Sequence, residues 1–109
     1  MPHIRMRAVT SEQAAELSST LVQDLAQIIQ TPIDNFTFEM IETRFFEKGA
    51  LSKAYPFIEV LWFARPQEVQ DACARLITDK VKALIPENDV VVVFTVLNAS
   101  AYYENSKHF

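Results

Sequence analysis

From Ile4 to Ala8 the chain alternates, with Ile4, Met6 and Ala8 set against Arg5 and Arg7. That period of two marks a strand with one face on a core. After Thr10 the period lengthens: Ala14, Leu17, Leu21, Leu25, Ile28 and Ile29 recur at helical spacing, and Thr10 stands three residues before Gln13 in the pattern of a capping box. The spacing predicts a helix over 11–30, stopped at Thr31-Pro32 because a residue before proline is pushed out of the helical region. Phe36 to Phe46 is β-branched and aromatic and leads to Lys48-Gly49, which reads as a second strand and a turn.

The same series then repeats. Tyr55 to Phe63 reads as a strand, and Pro66 suits a helix start. Val69, Ala72, Cys73, Leu76, Ile77, Val81 and Leu84 trace one helical face, Pro86 breaks the helix, and Val90 to Leu97 reads as a fourth strand. An offset of 54 residues places Pro2-His3-Ile4 on Pro56-Phe57-Ile58, Gln13 on Gln67, Pro32 on Pro86 and Phe36 on Val90. Two copies of one unit are too few, and the period too long, for a solenoid.

The expectation is a single α+β domain over 1–109, with a pseudo-repeat over 2–46 and 56–98 and a tail over 99–109. Its two β-α-β units form a four-stranded mixed sheet. Parallel crossovers are right-handed, so two units lying antiparallel put both helices on one face. Ile4, Met6, Ile58, Val60, Trp62, Phe38, Met40, Val92 and Phe94 then face the helices. Ile41, Phe57, Leu61, Phe63, Val91, Val93 and Leu97 are sent to the other side, along with Arg5, Arg7, Glu39 and Glu59. An open apolar sheet face is a liability, and a homo-oligomer packing sheet on sheet is the simplest cover. The charged residues on that face read first as ion pairs between subunits, because charges taken from water need partners.

Composition narrows the chemistry. Half of the 109 residues are apolar, and 8 Phe, 3 Tyr and 1 Trp supply a core that a chain of this size can build without staples. The lone Gly49 rules out glycine-rich phosphate loops and the nucleophile elbow. One Cys73 with His3 and His108 at opposite ends makes no conventional zinc set, and Cys73, among apolar helix positions, reads as core. A net charge of −4 with scattered basic residues argues against nucleic acid. No cofactor is implied. The longest apolar runs, Val60 to Ala64 and Val90 to Phe94, are too short to span a membrane, and the start lacks a signal-peptide stretch. A cytoplasmic protein is the expectation.

The N-terminal Met-Pro, the two units and the helix-free apolar sheet face together resemble the tautomerase superfamily, on the branch of macrophage migration inhibitory factor and 5-carboxymethyl-2-hydroxymuconate isomerase. Ala54-Tyr-Pro-Phe-Ile-Glu-Val-Leu-Trp-Phe63 and Tyr102-Tyr-Glu-Asn-Ser-Lys-His-Phe109 are similar to a small bacterial family of that fold. The resemblance implies a trimer with sheets around a central axis. It also implies a catalytic Pro2, exposed as the first residue once the initiator methionine is removed. A free N-terminal proline is a secondary amine, and desolvation lowers its pKa toward the range where general-base catalysis works best. The implied reaction is cofactor-independent proton transfer on a small keto or enol acid, its carboxylate held by Arg5 or Arg7 through paired hydrogen bonds. Arg44 is a further candidate, more distant from Pro2 in sequence.

The chain departs from the family's pocket at Thr31, which aligns with a lysine, and at Val91 and Val93, which align with a tyrosine and an asparagine. The aromatic tail is expected to dock on a neighbouring subunit at the pocket mouth, where Tyr103, Asn105 or His108 would supply polar contacts. Two alternatives stay open: a non-catalytic oligomeric or small-ligand-binding protein on the same scaffold, and a ferredoxin-like β-α-β-β-α-β module with another strand order. Proline is in any case tolerated at the first residue of a strand, and the matching Pro56 shows a fold use for it.

Overall fold

A computed structural model describes all 109 residues. Strand β1 (His3–Arg7) leads into helix α1 (Ser11–Ile29), and a short 3₁₀ turn, Ile33–Asn35, precedes strand β2 (Thr37–Met40). A hairpin of β3 (Phe45–Glu47) and β4 (Ala50–Ser52) follows, and then the second unit: β5 (Phe57–Trp62), α2 (Gln67–Leu84) and β6 (Val91–Val96). A second 3₁₀ turn, Ala99–Ala101, and a hairpin of β7 (Tyr103–Glu104) and β8 (Lys107–His108) end the chain.

The main sheet has the order β2-β1-β5-β6. β1 pairs parallel with β2 and β5 parallel with β6, while the two units meet antiparallel along β1 and β5. Each helix therefore joins strands that are neighbours, which excludes the split β-α-β arrangement of a ferredoxin-like module. The repeat extends to the register. His3 pairs with Thr37 and Phe57 with Val91, so the offset that carries one residue onto the other carries its partner too. Arg5 and Glu59 are related by that offset and lie directly opposite each other across β1 and β5, on the local twofold axis between the units.

The core lies between the sheet and the helices. Ile4, Met6, Ile58, Val60 and Trp62 meet Leu17, Leu21 and Leu25 of α1 and Cys73, Ile77 and Val81 of α2, all at most 2% exposed. Phe38, Met40, Val92 and Phe94 pack against the same cluster. The capping box forms with both of its hydrogen bonds, and α1 stops one residue before the predicted end, where Gln30 turns left-handed (φ 62°) and donates its N–H to the Ala26 carbonyl. No helix is long and apolar enough to cross a membrane.

The predicted strand over 36–46 is two elements. β1 ends at Arg7, and Ala8 takes a positive φ of 61° as the chain turns toward α1. Ile41 N–H makes a last ladder bond to the Met6 carbonyl, and past it the strand has no partner. Phe45–Glu47 pairs instead with the residues after Lys48 and Gly49, both left-handed at φ 51° and 81°. Those angles make the two-residue turn whose twist matches a hairpin.

Candidate functional site

Pro2 is buried to less than 2% exposure at the start of β1, as is Pro56 at the start of β5. Their carbonyls accept matching bonds, from Thr37 N–H at 3.2 Å and from Val91 N–H at 3.0 Å. Alternation along β1 turns Pro2, Ile4 and Met6 toward the helices and His3, Arg5 and Arg7 toward the open face. With Met1 attached, the Pro2 nitrogen is an amide. The Met1 amine is held below its ordinary value, chiefly by burial, with the Arg65 charge acting in the same direction and the Glu104 charge opposing it. The surroundings of the terminus thus disfavour a protonated amine.

Arg5 and Arg7 belong to a different cluster. On the open face Arg5 Nε donates to Glu39 Oε1 at 3.1 Å, and Arg5 Nη1 lies 3.8 Å from Glu59 Oε1. Arg7 Nη1 is 4.0 Å from that same oxygen, and Thr95 Oγ1 donates to Glu59 Oε2 at 2.9 Å. His3 completes the ladder, with Nε2 2.9 Å from Glu39 Oε1 and Nδ1 hydrogen-bonded to Thr37 Oγ1. The His3 contact, more than any other, holds Glu39 below its usual carboxylate value. Its contribution to stability is therefore present at neutral pH and is lost as pH falls through that lowered value. Flanking this ladder, Phe57, Leu61, Phe63, Val91 and Leu97 are only half-buried, and Val93 is more than a third exposed.

The tail folds back on its own chain. Tyr102 and Phe109 pack on Phe63, with ring centroids 5.3 and 5.5 Å away, and Phe109 N–H donates to the Ala99 and Tyr102 carbonyls. Tyr103 is 62% exposed beside His108, and Asn105 takes up a left-handed turn position with Ser106. The hairpin brings Glu104 toward the terminus, where its charge acts on the Met1 amine.

Two charged residues at this end, Arg65 and Glu104, escape a reading of sequence neighbours. The signal for Arg65 was topological: an antiparallel β1–β5 pairing sets the residues after Leu61 beside those before His3. The two clefts of the single chain lie elsewhere. One, of about 470 Å³, is lined by Ala8 to Ser11 and Met40 to Arg44, so Arg44 sits at the far end of the sheet from Pro2. The other, of about 600 Å³, lies under the β3–β4 hairpin between Phe45, Tyr55 and Phe57. Neither includes Pro2, Arg5 or Arg7. No three metal-ligating side chains are gathered anywhere. Cys73 is buried alone, its thiol pushed up to about 11 by burial.

The chain belongs to the family described as Domain of unknown function (DUF1904), whose model matches residues 1–108. It is similar to the crystal structure of a DUF1904 domain from Sebaldella termitidis, at 41% identity over 100% of both chains and a TM-score of 0.95. It shares its fold with a macrophage migration inhibitory factor-like protein from Entamoeba histolytica, at 15% identity over 99% of this chain and 98% of that one, TM-score 0.76. It also shares it with a fused 4-OT described as an asymmetric trimer, at 14% identity over 97% and 94%, TM-score 0.82. The fold is that of the tautomerase superfamily. Among curated proteins no match was found.

Proposed function

We propose that this member of the DUF1904 family is a cofactor-independent tautomerase of small keto or enol acids, with Pro2 as general base once Met1 has been removed. The observation that carries the reading is the burial of Pro2 at a terminus whose amine is desolvated. A freed ring nitrogen there keeps its lone pair. It takes the proton of an enol hydroxyl as C–O becomes C=O and returns a proton to the far carbon of the former C=C, whose π pair forms the new C–H bond and leaves a C–C single bond. Atoms and charge balance without a metal or redox partner. General acid–base transfer of this kind contributes on the order of 10²–10⁴ in rate.

The proposal includes a homotrimer. The half-exposed apolar residues around the charge ladder support it, as does the trimer described for the fused 4-OT. In this reading Arg5 and Arg7 hold copies together around Glu39 and Glu59, and Tyr103 and Asn105, flanking Glu104, stand at the rim of the site. A second reading, an oligomeric small-carboxylate-binding protein without turnover, is favoured by Thr31, Val91 and Val93 standing where the superfamily pocket has lysine, tyrosine and asparagine.

The test compares Met1-free protein with its Pro2→Ala variant in phenylpyruvate ketonisation. The tautomerase reading expects the variant to lose about two to four orders of magnitude. Equal rates in the two proteins favour the second reading.

A further inference from the structure

Each β-α-β unit is followed by a two-stranded hairpin, and the two hairpins are used differently. After the second unit, β7 and β8 bring the chain back on itself, so that Tyr102 and Phe109 pack on Phe63, just past the end of β5. The repeat offset of 54 carries Phe63 onto Val9, just past the end of β1. Val9 has no such cover. It lines the open cleft of about 470 Å³ together with Met40, Ile41, Glu42 and Arg44. That volume falls within the range of about 300–1,000 Å³ for clefts that enclose a guest.

The hairpin after the first unit does not close over this cleft. β3 and β4 pair with each other and have no extended contact with any other strand or helix. Phe46 and Leu51 are cross-strand partners on one face of the hairpin, and at 68% and 70% exposure they are the barest large apolar side chains of the chain. A two-stranded hairpin standing alone is marginal in water, so these side chains call for cover. The radius of gyration is 14.8 Å, against about 13 Å for a compact chain of about 100 residues, in keeping with a projecting arm.

The charges on the two surfaces match. Glu47 and Lys48 stand at the turn of the arm and Glu42 and Arg44 at the cleft, and none of the four has an ion-pair partner within the chain. With one charge of each sign on either side, arm and cleft can meet with opposite charges facing, which fixes register more than it adds affinity.

We propose that the β3–β4 arm of one copy docks in the Val9 cleft of the next, with Phe46 and Leu51 covering Val9 as Tyr102 and Phe109 cover Phe63. Arm and cleft are different patches, so the contact is heterologous and, repeated about a threefold axis, closes a ring. It rests on the self-association proposed above, at a surface separate from the charge ladder, and is independent of any chemistry at Pro2.

The experiment links the two surfaces covalently. A Thr43→Cys/Leu51→Cys chain carries one thiol at the cleft and one on the arm, while Cys73 is buried and stays unreactive in native protein. At micromolar concentration a short bis-maleimide is expected to give covalent trimers on a denaturing gel. Neither single variant can do so, since one reactive thiol per chain joins at most two chains. Phe46→Ser/Leu51→Ser tests the contact without a link. Both side chains are bare in the single chain, so circular dichroism should be unchanged. Light scattering should show the mass falling from three chains toward one, with dissociation at a protein concentration at least about tenfold higher than for wild type.

An unchanged mass for the folded double-serine variant, or links confined within single chains, overturns the docking. If the wild-type protein is trimeric in that case, the trimer stands on the sheet face alone. A wild-type chain that is monomeric throughout removes both.

Discussion

Two prolines in equivalent places, Pro2 and Pro56, are buried alike and accept equivalent ladder bonds, yet only one of them can lie at a chain terminus. The fold requirement and the chemistry are therefore separable by mutation. Pro56→Ala is expected to lower the denaturation midpoint while leaving the ketonisation rate per folded molecule unchanged; Pro2→Ala is expected to lose the rate. Parallel losses in both variants would mean that the prolines serve the fold alone. Cys73 gives a second prediction at this scale. It is 1% exposed and its thiol is raised to about 11, so at pH 8 there is almost no thiolate and no access for a reagent. A thiol-specific dye should leave native protein unlabelled and modify one thiol per chain in urea. The place of Pro2 at the start of a strand was legible in the sequence through its repeat at Pro56. That Arg65 follows a strand end lying beside Pro2 was not, because distance along the chain says nothing about which strand ends meet.

Among the elements, the legible ones were those whose periodicity extends over many residues. The buried stripes of α1 and α2 and the alternating face of β5 each confine several residues at once, and the repeat set their mutual arrangement. What stayed hidden was decided by pairing and by turn angles. The stretch from Phe36 to Phe46 has strand composition throughout, but β2 stops where β1 stops, a fact about the partner. The β7–β8 hairpin turns at Asn105 and Ser106, both left-handed without a glycine, and its aromatic residues pack on Phe63 within the same chain. The first turn of α1 offers a measurable test. Thr10→Ala removes the side-chain half of the capping box and is expected to cost about 0.5–2 kcal/mol, read from urea denaturation. No loss of stability would mean that the cap is redundant with the packing of Ala14 and Leu17.

For the whole molecule, the open sheet face is a mixed surface. Its centre is a ladder of alternating charge from His3 and Glu39 through Arg5 to Glu59 and Arg7, flanked by half-exposed aliphatic and aromatic side chains. Such a face suits a second copy better than water, and the proposed trimer predicts a light-scattering mass about three times the chain's 12.5 kDa. Truncation after Ala101 uncovers Phe63 and should weaken the assembly. A monomeric mass for the intact chain would contradict the trimer.

A basic Pro2 requires that its freed amine be kept poorly hydrated, as the Met1 amine is. The most direct measurement is the pKa of that amine in Met1-free protein, followed by NMR of the Pro2 ring across pH. The result predicted is a value below the ordinary α-amino range of about 7.7–8.0, rising when Arg65 is replaced by Gln. A value at or above that range, unmoved by Arg65→Gln, would show a solvated, protonated terminus with no capacity to act as the base.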